Sequence, residues 1–195
     1  MDSLGTRILR NGFGCPRGLL GRVGGWLMAR GNAATERHVV SLAALGEHDV
    51  VVVLGHGPGI GLEAAGTKSR HVIGIEPSKT MRDAAARRCK ELIREGRVTI
   101  RDGAAESTSQ PEASVDVVLA VNNVQIWPDW QAAFAELHRV LRPGGRMLLS
   151  AHRKWLPDGL EKAVEDAGFQ QVETSLWDPP SHGADTAFIL RATRA

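Results

Sequence analysis

A chain of 195 residues that is 43% hydrophobic and 24% charged suits one domain with a sizeable core; it leaves little room for a second and is too apolar to be intrinsically disordered. Its formal net charge is only +2, and arginines are scattered at Arg82, Arg87, Arg88, Arg94, Arg97 and Arg101, so no basic tract singles out nucleic acid or an anionic membrane as a partner. Cys15 and Cys89 are far apart, which excludes a disulfide framework, a redox CxxC pair and zinc-ligand spacing.

No metal site is therefore expected. The opening MDSLGTRILRNGFGCPRG holds no apolar stretch of signal-peptide length, and no run approaches the ~18 apolar residues of a membrane span. A cytoplasmic location is the resulting expectation. Residues 1–46 read as an N-terminal helical cover and 47–195 as the core of one compact domain. Within the cover, Leu19, Leu20, Val23, Trp26 and Leu27 form a helical stripe broken by Gly24 and Gly25. A second helix is expected from a cap at Asn32, with Val39, Val40, Leu42, Ala43 and Leu45 packing and Gly46 ending it.

From residue 50 strands and helices alternate. Val50 to Leu54 is a continuous β-branched run, the pattern of a strand buried on both faces of a parallel sheet. His71 to Glu76 is a second strand. Ser78 caps a helix carrying Met81, Ala84, Ala85, Cys89, Leu92 and Ile93, which stops at Gly96. Arg97 to Arg101 and Val115 to Val121 are the third and fourth strands. Trp130, Ala133, Phe134, Leu137 and Leu141 mark the next helix, ended by Pro143-Gly144-Gly145, and Arg146 to Ala151 is the fifth strand. Asp158 caps a helix over Leu160, Ala163, Val164 and Ala167; two late strands cover Gln171 to Trp177 and Thr186 to Thr193. Repeated βα units predict a doubly wound, mostly parallel α/β sheet with helices on both faces, and ligands beyond the carboxyl ends of its strands.

The sharpest local signal is Leu54-Gly55-His56-Gly57-Pro58-Gly59-Ile60-Gly61, directly after the first strand. Glycines let the main chain turn tightly and approach a ligand with no Cβ between them. A plain strand-to-helix turn would need one or two; four at alternate positions favour a cofactor loop. The dinucleotide fingerprint GxGxxG fits neither register, since Ile60 or Leu62 falls where its last glycine belongs. Glu76 ends the second strand nineteen positions after Gly57, where a carboxylate can accept hydrogen bonds from both hydroxyls of a ribose.

The GxGxG spacing resembles motif I of class I, Rossmann-like S-adenosylmethionine-dependent methyltransferases. Leu141-Arg142-Pro143-Gly144-Gly145 resembles the family's LRPGG turn, and Ala167-Gly168-Phe169 also fits. The likeness covers about residues 48–195. It implies a seven-stranded sheet of order 3-2-1-4-5-7-6 with the last strand antiparallel, S-adenosyl-L-methionine as cofactor, and methyl transfer as the activity. It further implies cofactor contacts from Gly55, His56, Gly57, Pro58 and Gly59, a ribose-binding Glu76, Pro77 against the adenine, backbone groups of Ala105 at the adenine edge, and Asn122 near the methyl group.

Two positions depart from the pattern. Val53 stands where motif I has an acid, and Ala104 where an acid meets the adenine amino group, with Asp102 and Glu106 nearby but out of register. A relative that binds the cofactor weakly or no longer catalyses therefore stays open. A nicotinamide-dependent oxidoreductase is disfavoured by the glycine spacing, and the absence of tyrosine excludes the Tyr-xxx-Lys chemistry of short-chain dehydrogenases.

On the acceptor side, the fourth strand runs into Asn122-Asn123-Val124-Gln125-Ile126-Trp127-Pro128, whose uncharged amides Asn122, Asn123 and Gln125 could orient a substrate or merely cap the strand end. The segment lacks the [Asn/Asp/Ser]-Pro-Pro-[Tyr/Phe/Trp] motif of exocyclic-base methylation. His152 and His182, in loops at the expected active-site end, are candidate general bases, with an ordinary loop histidine as the alternative for each. Trp26, Trp127 and Trp155 are candidate pocket walls, equally explained by packing. The expected acceptor is a small molecule rather than tRNA, DNA or protein.

Overall fold

Five consecutive β-branched or leucine residues form β1 (Val50–Leu54), an interior strand of the sheet in the computed structural model of this chain; the structure describes residues 32–180 and 184–195. Successive side chains leave a strand on opposite faces. Accordingly Val51 and Val53 join one apolar cluster, while Val52 and Leu54 join the other. The first cluster is completed by α1 (32–42), α2 (Ile60–Gly66) and α3 (Lys79–Arg88). The second is built around α5 (Trp130–Val140) and α6 (Leu160–Asp166), with Phe134 and Leu137 fully buried. At ~1.5–3 kcal/mol for each large aliphatic side chain removed from water, these two layers are the main favourable contribution to folding.

Seven strands pair in the order β3-β2-β1-β4-β5-β7-β6, the arrangement the resemblance implies. β2 (His71–Ile75), β3 (Val98–Arg101), β4 (Val115–Val121) and β5 (Leu141–His152) run parallel with β1. β7 (Ala187–Arg194) pairs antiparallel with both β5 and β6 (Phe169–Trp177). The chain steps outward from β1 through β2 to β3, then returns to begin β4 on the other side of β1. The β1/β4 junction is thus the switch point, where crossovers diverge and leave a crevice at the carboxyl ends.

Several local expectations change. Asn32 lies within α1 over the described residues instead of capping it, and Leu42 is 41% exposed instead of packed. The helix ends before Gly46, at Ala44 (φ 46°), where Arg146 donates to the carbonyls of Ala43 (2.7 Å) and Ala44 (3.0 Å) and to Asp49 (2.7 Å). That guanidinium satisfies carbonyls a helix end leaves unpaired and staples α1 to the sheet. His38 adds a second attachment by stacking on Trp177, with ring centroids 4.1 Å apart.

The helix expected from Ser78 is two pieces, α3 and α4 (Lys90–Arg94), separated at buried Cys89, whose thiol turns toward Gly59. Ser78 occupies the cap position without a side-chain capping bond. Gly159 at φ 79° takes the cap of α6 in place of Asp158, because a left-handed residue there suits glycine. The Leu141–Gly145 turn is a bulge at the start of β5: Val115 pairs with Leu141 and Val117 already with Arg146. Buried Asp116 holds it, accepting from Val50 N (2.7 Å) and pairing with Arg142.

Candidate functional site

A cavity of about 450 Å³ opens at the switch point, within the range of small-molecule sites. Four strand ends build it. β1 supplies Val53 to Pro58, β2 supplies Ile75 to Pro77, the segment after β3 supplies Gly103 to Glu106, and β4 with its following loop supplies Val121 to Asn123 and Ile126 to Pro128. α1 closes it from above with Asn32, Glu36 and Val40.

The glycine bend is shaped from two sides. Gly55 (φ 54°) donates to Ile75 O at 2.8 Å, and a Cβ there would lie 2.5 Å from Asn123 Nδ2. That amide donates to Leu54 O (2.7 Å), while its oxygen accepts from Trp127 Nε1 (3.1 Å). Asn123 therefore locks the end of β4 to the bend and has both functions engaged. Gly57 (φ 52°) differs: nothing of the protein lies within 4 Å of where its Cβ would be. Its N–H donates to Glu76 Oε2 at 3.1 Å.

Glu76 is 6% exposed, and its other oxygen accepts from Ser78 N at 2.9 Å. Burial pushes its carboxyl above the usual range, opposed by these two N–H bonds and by Arg82. One N–H per oxygen leaves acceptor capacity on both, the complement of a vicinal diol. His56 is buried beside it, with Nδ1 2.9 Å from Gly57 O, so the Nδ1–H tautomer follows from its carbonyl partner. Burial lowers its pKa to about 4; the ring is neutral, and Nε2 is a buried atom without a hydrogen-bond partner among the described residues. Glu106 Oε1 and Asn122 Nδ2 are two more such atoms on residues of the same wall. Asn122 also holds a left-handed φ of 56°, unusual for a non-glycine residue. Bare main chain at Gly57 beside a carboxylate with acceptor capacity on both oxygens, in a cavity that also holds apolar Ile75, Pro77 and Met81, fits an adenosyl ligand with sugar hydroxyls and a purine ring.

Gly55, His56, Gly57, Pro58, Glu76, Pro77, Ala105, Asn122 and Asn123 are thus brought to one cavity. Gly59 is not on its wall: at φ 89° it caps α2 and faces α3, where a Cβ would lie 2.9 Å from that of Ala85. Gln125 is also off the wall, its amide turned back to Asn122 O at 3.0 Å. His152 sits beside Asp185 (3.9 Å) and Lys154 rather than at the cavity, and burial lowers its pKa. Trp127 lines the cavity, whereas Trp155 is 42% exposed away from it. Trp26 and His182 lie outside the described residues. Glu36, Val40 and Met81 also line the cavity, and no sequence motif marks them as site residues. The available signal for Glu36 was a carboxylate in helical step with Val39, Val40 and Ala43, on the face that must be buried.

Among the described residues no cluster of His, Cys, Asp and Glu could hold a metal ion, and no helix is long and apolar enough to cross a membrane. Residues 52–149, half of the chain, match the family described as "Methyltransferase domain". An uncharacterized methyltransferase, YdaC of Bacillus subtilis (strain 168), is 27% identical over 163 residues, covering 77% of this chain and 88% of that protein. Among solved structures, a SAM-dependent methyltransferase from Aquifex aeolicus superimposes with a TM-score of 0.68 at 18% identity, covering 86% of this chain and 93% of that one. A geranyl diphosphate C-methyltransferase from Streptomyces coelicolor A3(2), solved with Mg2+, geranyl-S-thiolodiphosphate and S-adenosyl-L-homocysteine, gives 0.65 at 18% identity, covering 84% and 76%. With the sheet order, the glycine bend after β1 and Glu76 after β2 all in place, the chain belongs to the class I, Rossmann-like S-adenosylmethionine-dependent methyltransferases.

Proposed function

We propose that the protein binds S-adenosyl-L-methionine at the β1/β4 crevice and transfers its methyl group to a small-molecule acceptor in the cytoplasm. The observation that supports this most directly is the pair Gly57 and Glu76: an open face of main chain whose N–H is tied to a carboxylate with a free lone pair on each oxygen. In this reading Glu76 accepts from the two ribose hydroxyls. Ile75, Pro77 and Met81 give apolar contact to the purine, and Glu106 and the backbone at Ala105 meet its polar edge. S-adenosylmethionine when bound supplies an electrophilic methyl on a sulfonium centre.

The chain's own contribution is then to hold, orient and dry the site. The described wall beyond the bend, Asn122, Ile126, Trp127 and Pro128, carries no ionisable side chain. Such a wall suits an acceptor that is already nucleophilic rather than one needing a strong base. Neither His152, which is off the wall, nor neutral His56 is assigned proton removal. The acceptor reading also draws on the geranyl diphosphate enzyme, whose bound geranyl-S-thiolodiphosphate is a small molecule.

Calorimetry with S-adenosylmethionine, S-adenosylhomocysteine and NADH tests the reading on the intact chain and on Glu76→Ala. Both adenosyl ligands should bind and NADH should not, and the variant should lose ~2–3 kcal/mol of binding, the scale of hydrogen bonds to a charged group. Binding of NADH alone would end the methyltransferase reading. Adenosyl binding with no turnover on any acceptor panel would instead favour a relative that keeps the ligand and has lost catalysis.

A further inference from the structure

Two carboxylates grip the glycine loop, one from each side. Glu76 takes Gly57 N from the β2 side. Glu36, on α1, accepts from Gly61 N at 2.5 Å, so close that a Cβ on Gly61 would meet Glu36 Oε2 at 3.1 Å. Glu36 lines the cavity together with Val40 and Val53. A carboxylate offers about four lone-pair sites, and Gly61 N–H occupies one.

Tethering Gly61 requires only a neutral acceptor, so the negative charge is surplus to that bond. It is also costly where it stands: burial raises the Glu36 pKa to about 7, against a smaller opposing effect of Gly61 N–H, Arg88 and Arg37. Arg88 is engaged elsewhere, with Glu63 (3.3 Å) and Pro58 O (3.1 Å), and Arg37 is exposed. A desolvated carboxylate on a cavity wall, short of a close cation among the described residues, is a site for a ligand's positive charge. Val53, on the wall of the same cavity, supplies no acid.

We propose that Glu36 receives the α-ammonium group of the ligand's amino-acid end, so that the two acids divide one ligand between them, Glu76 at the sugar and Glu36 at the ammonium. The inference rests on the cofactor reading above. It makes α1 a working wall of the site, held in place by Arg146 and by the His38–Trp177 stack.

The test is calorimetric titration of the intact chain, near neutral pH, with S-adenosylhomocysteine and with its desamino analogue, in which hydrogen replaces the ammonium. Wild type should prefer the amino ligand by about tenfold or more, as for a charge-assisted contact. Glu36→Gln keeps an acceptor for Gly61 N–H, so it should bind the desamino ligand as wild type does and lose most of the preference. A merely structural Glu36 would weaken both ligands alike. The proposal is overturned if wild type shows no preference or if the variant retains it; Glu36→Ala repeats the comparison should the glutamine variant not fold. Failure of wild type to bind either ligand is a different result, and it removes the cofactor reading itself.

Discussion

Gly55 and Gly57 stand two residues apart in one bend, both at positive φ, 54° and 52°, and they are glycine for unlike reasons. At Gly55 the space a side chain would take is already occupied by Asn123, whose amide bonds Leu54 O across the β1/β4 junction. At Gly57 the corresponding space belongs to the cavity, and the nearest polar contact is a carboxylate aimed at the backbone. One glycine is required by the protein and the other is free for a ligand. A glycine-rich spacing therefore mixes packing with binding, and only the neighbours of each missing Cβ separate the two.

Substitution sharpens that contrast. Gly57→Val carries the largest expected effect: the branched side chain enters the cavity, and S-adenosylhomocysteine binding should fall by more than about 100-fold, while the folded state loses only the ~1–2 kcal/mol of a left-handed non-glycine residue. Titration calorimetry beside thermal unfolding reads both numbers. Near-normal binding would mean that this side of the bend faces no ligand. Gly55→Ala should do the reverse. A Cβ 2.5 Å from Asn123 Nδ2 forces that amide to move and breaks its bond to Leu54 O, a destabilisation of about 2–3 kcal/mol from backbone strain and an unsatisfied buried group. Unfolding at an unchanged midpoint would show that Asn123 yields without cost.

The same contrast explains what was legible in the chain. β1, β2 and β4 announce themselves as apolar runs because both faces of the sheet are covered, and Glu76 follows from its distance to Gly57 along consecutive elements. The four alternating glycines mark the bend, yet Gly59 serves the contact with Ala85 rather than the cavity, which only the packing of α3 reveals. Gln125 and Asn123 are neighbouring amides in one loop; backbone geometry in the 3-10 turn Val124–Ile126 decides which one faces inward. His152, expected in a loop after the fifth strand, is the last residue of β5, and Asp185 and Lys154 draw its surroundings to the β7 side. For Glu36 the sequence offers only an acid on the packed face of α1; its partner Gly61 lies 25 residues away in a different element, and no spacing rule links the two.

The smallest effect isolates that distant carboxylate in the ligand-free protein. Glu36 has a pKa of about 7 against an ordinary 4.5, so its contribution to stability is fully present below about pH 4.5 and is lost as pH rises through 7. Glutamine is neutral throughout and keeps the acceptor for Gly61 N–H. Glu36→Gln should therefore match wild type near pH 5 and exceed it near pH 8, by about 1–2 kcal/mol once partial exposure is allowed for. His56, lowered to about 4, runs the opposite way: its contribution is present above 6.5 and is lost as pH falls toward 4. Because His56 is common to both proteins, it cancels in their difference. Unfolding midpoints taken across this range with no ligand present measure the gap directly, and saturating S-adenosylhomocysteine should then reverse its sign at pH 8, since a bound ammonium turns the buried charge from a penalty into a contact. A gap that ignores pH would mean that the Glu36 charge is already neutralised within the protein and has none to spare for a ligand.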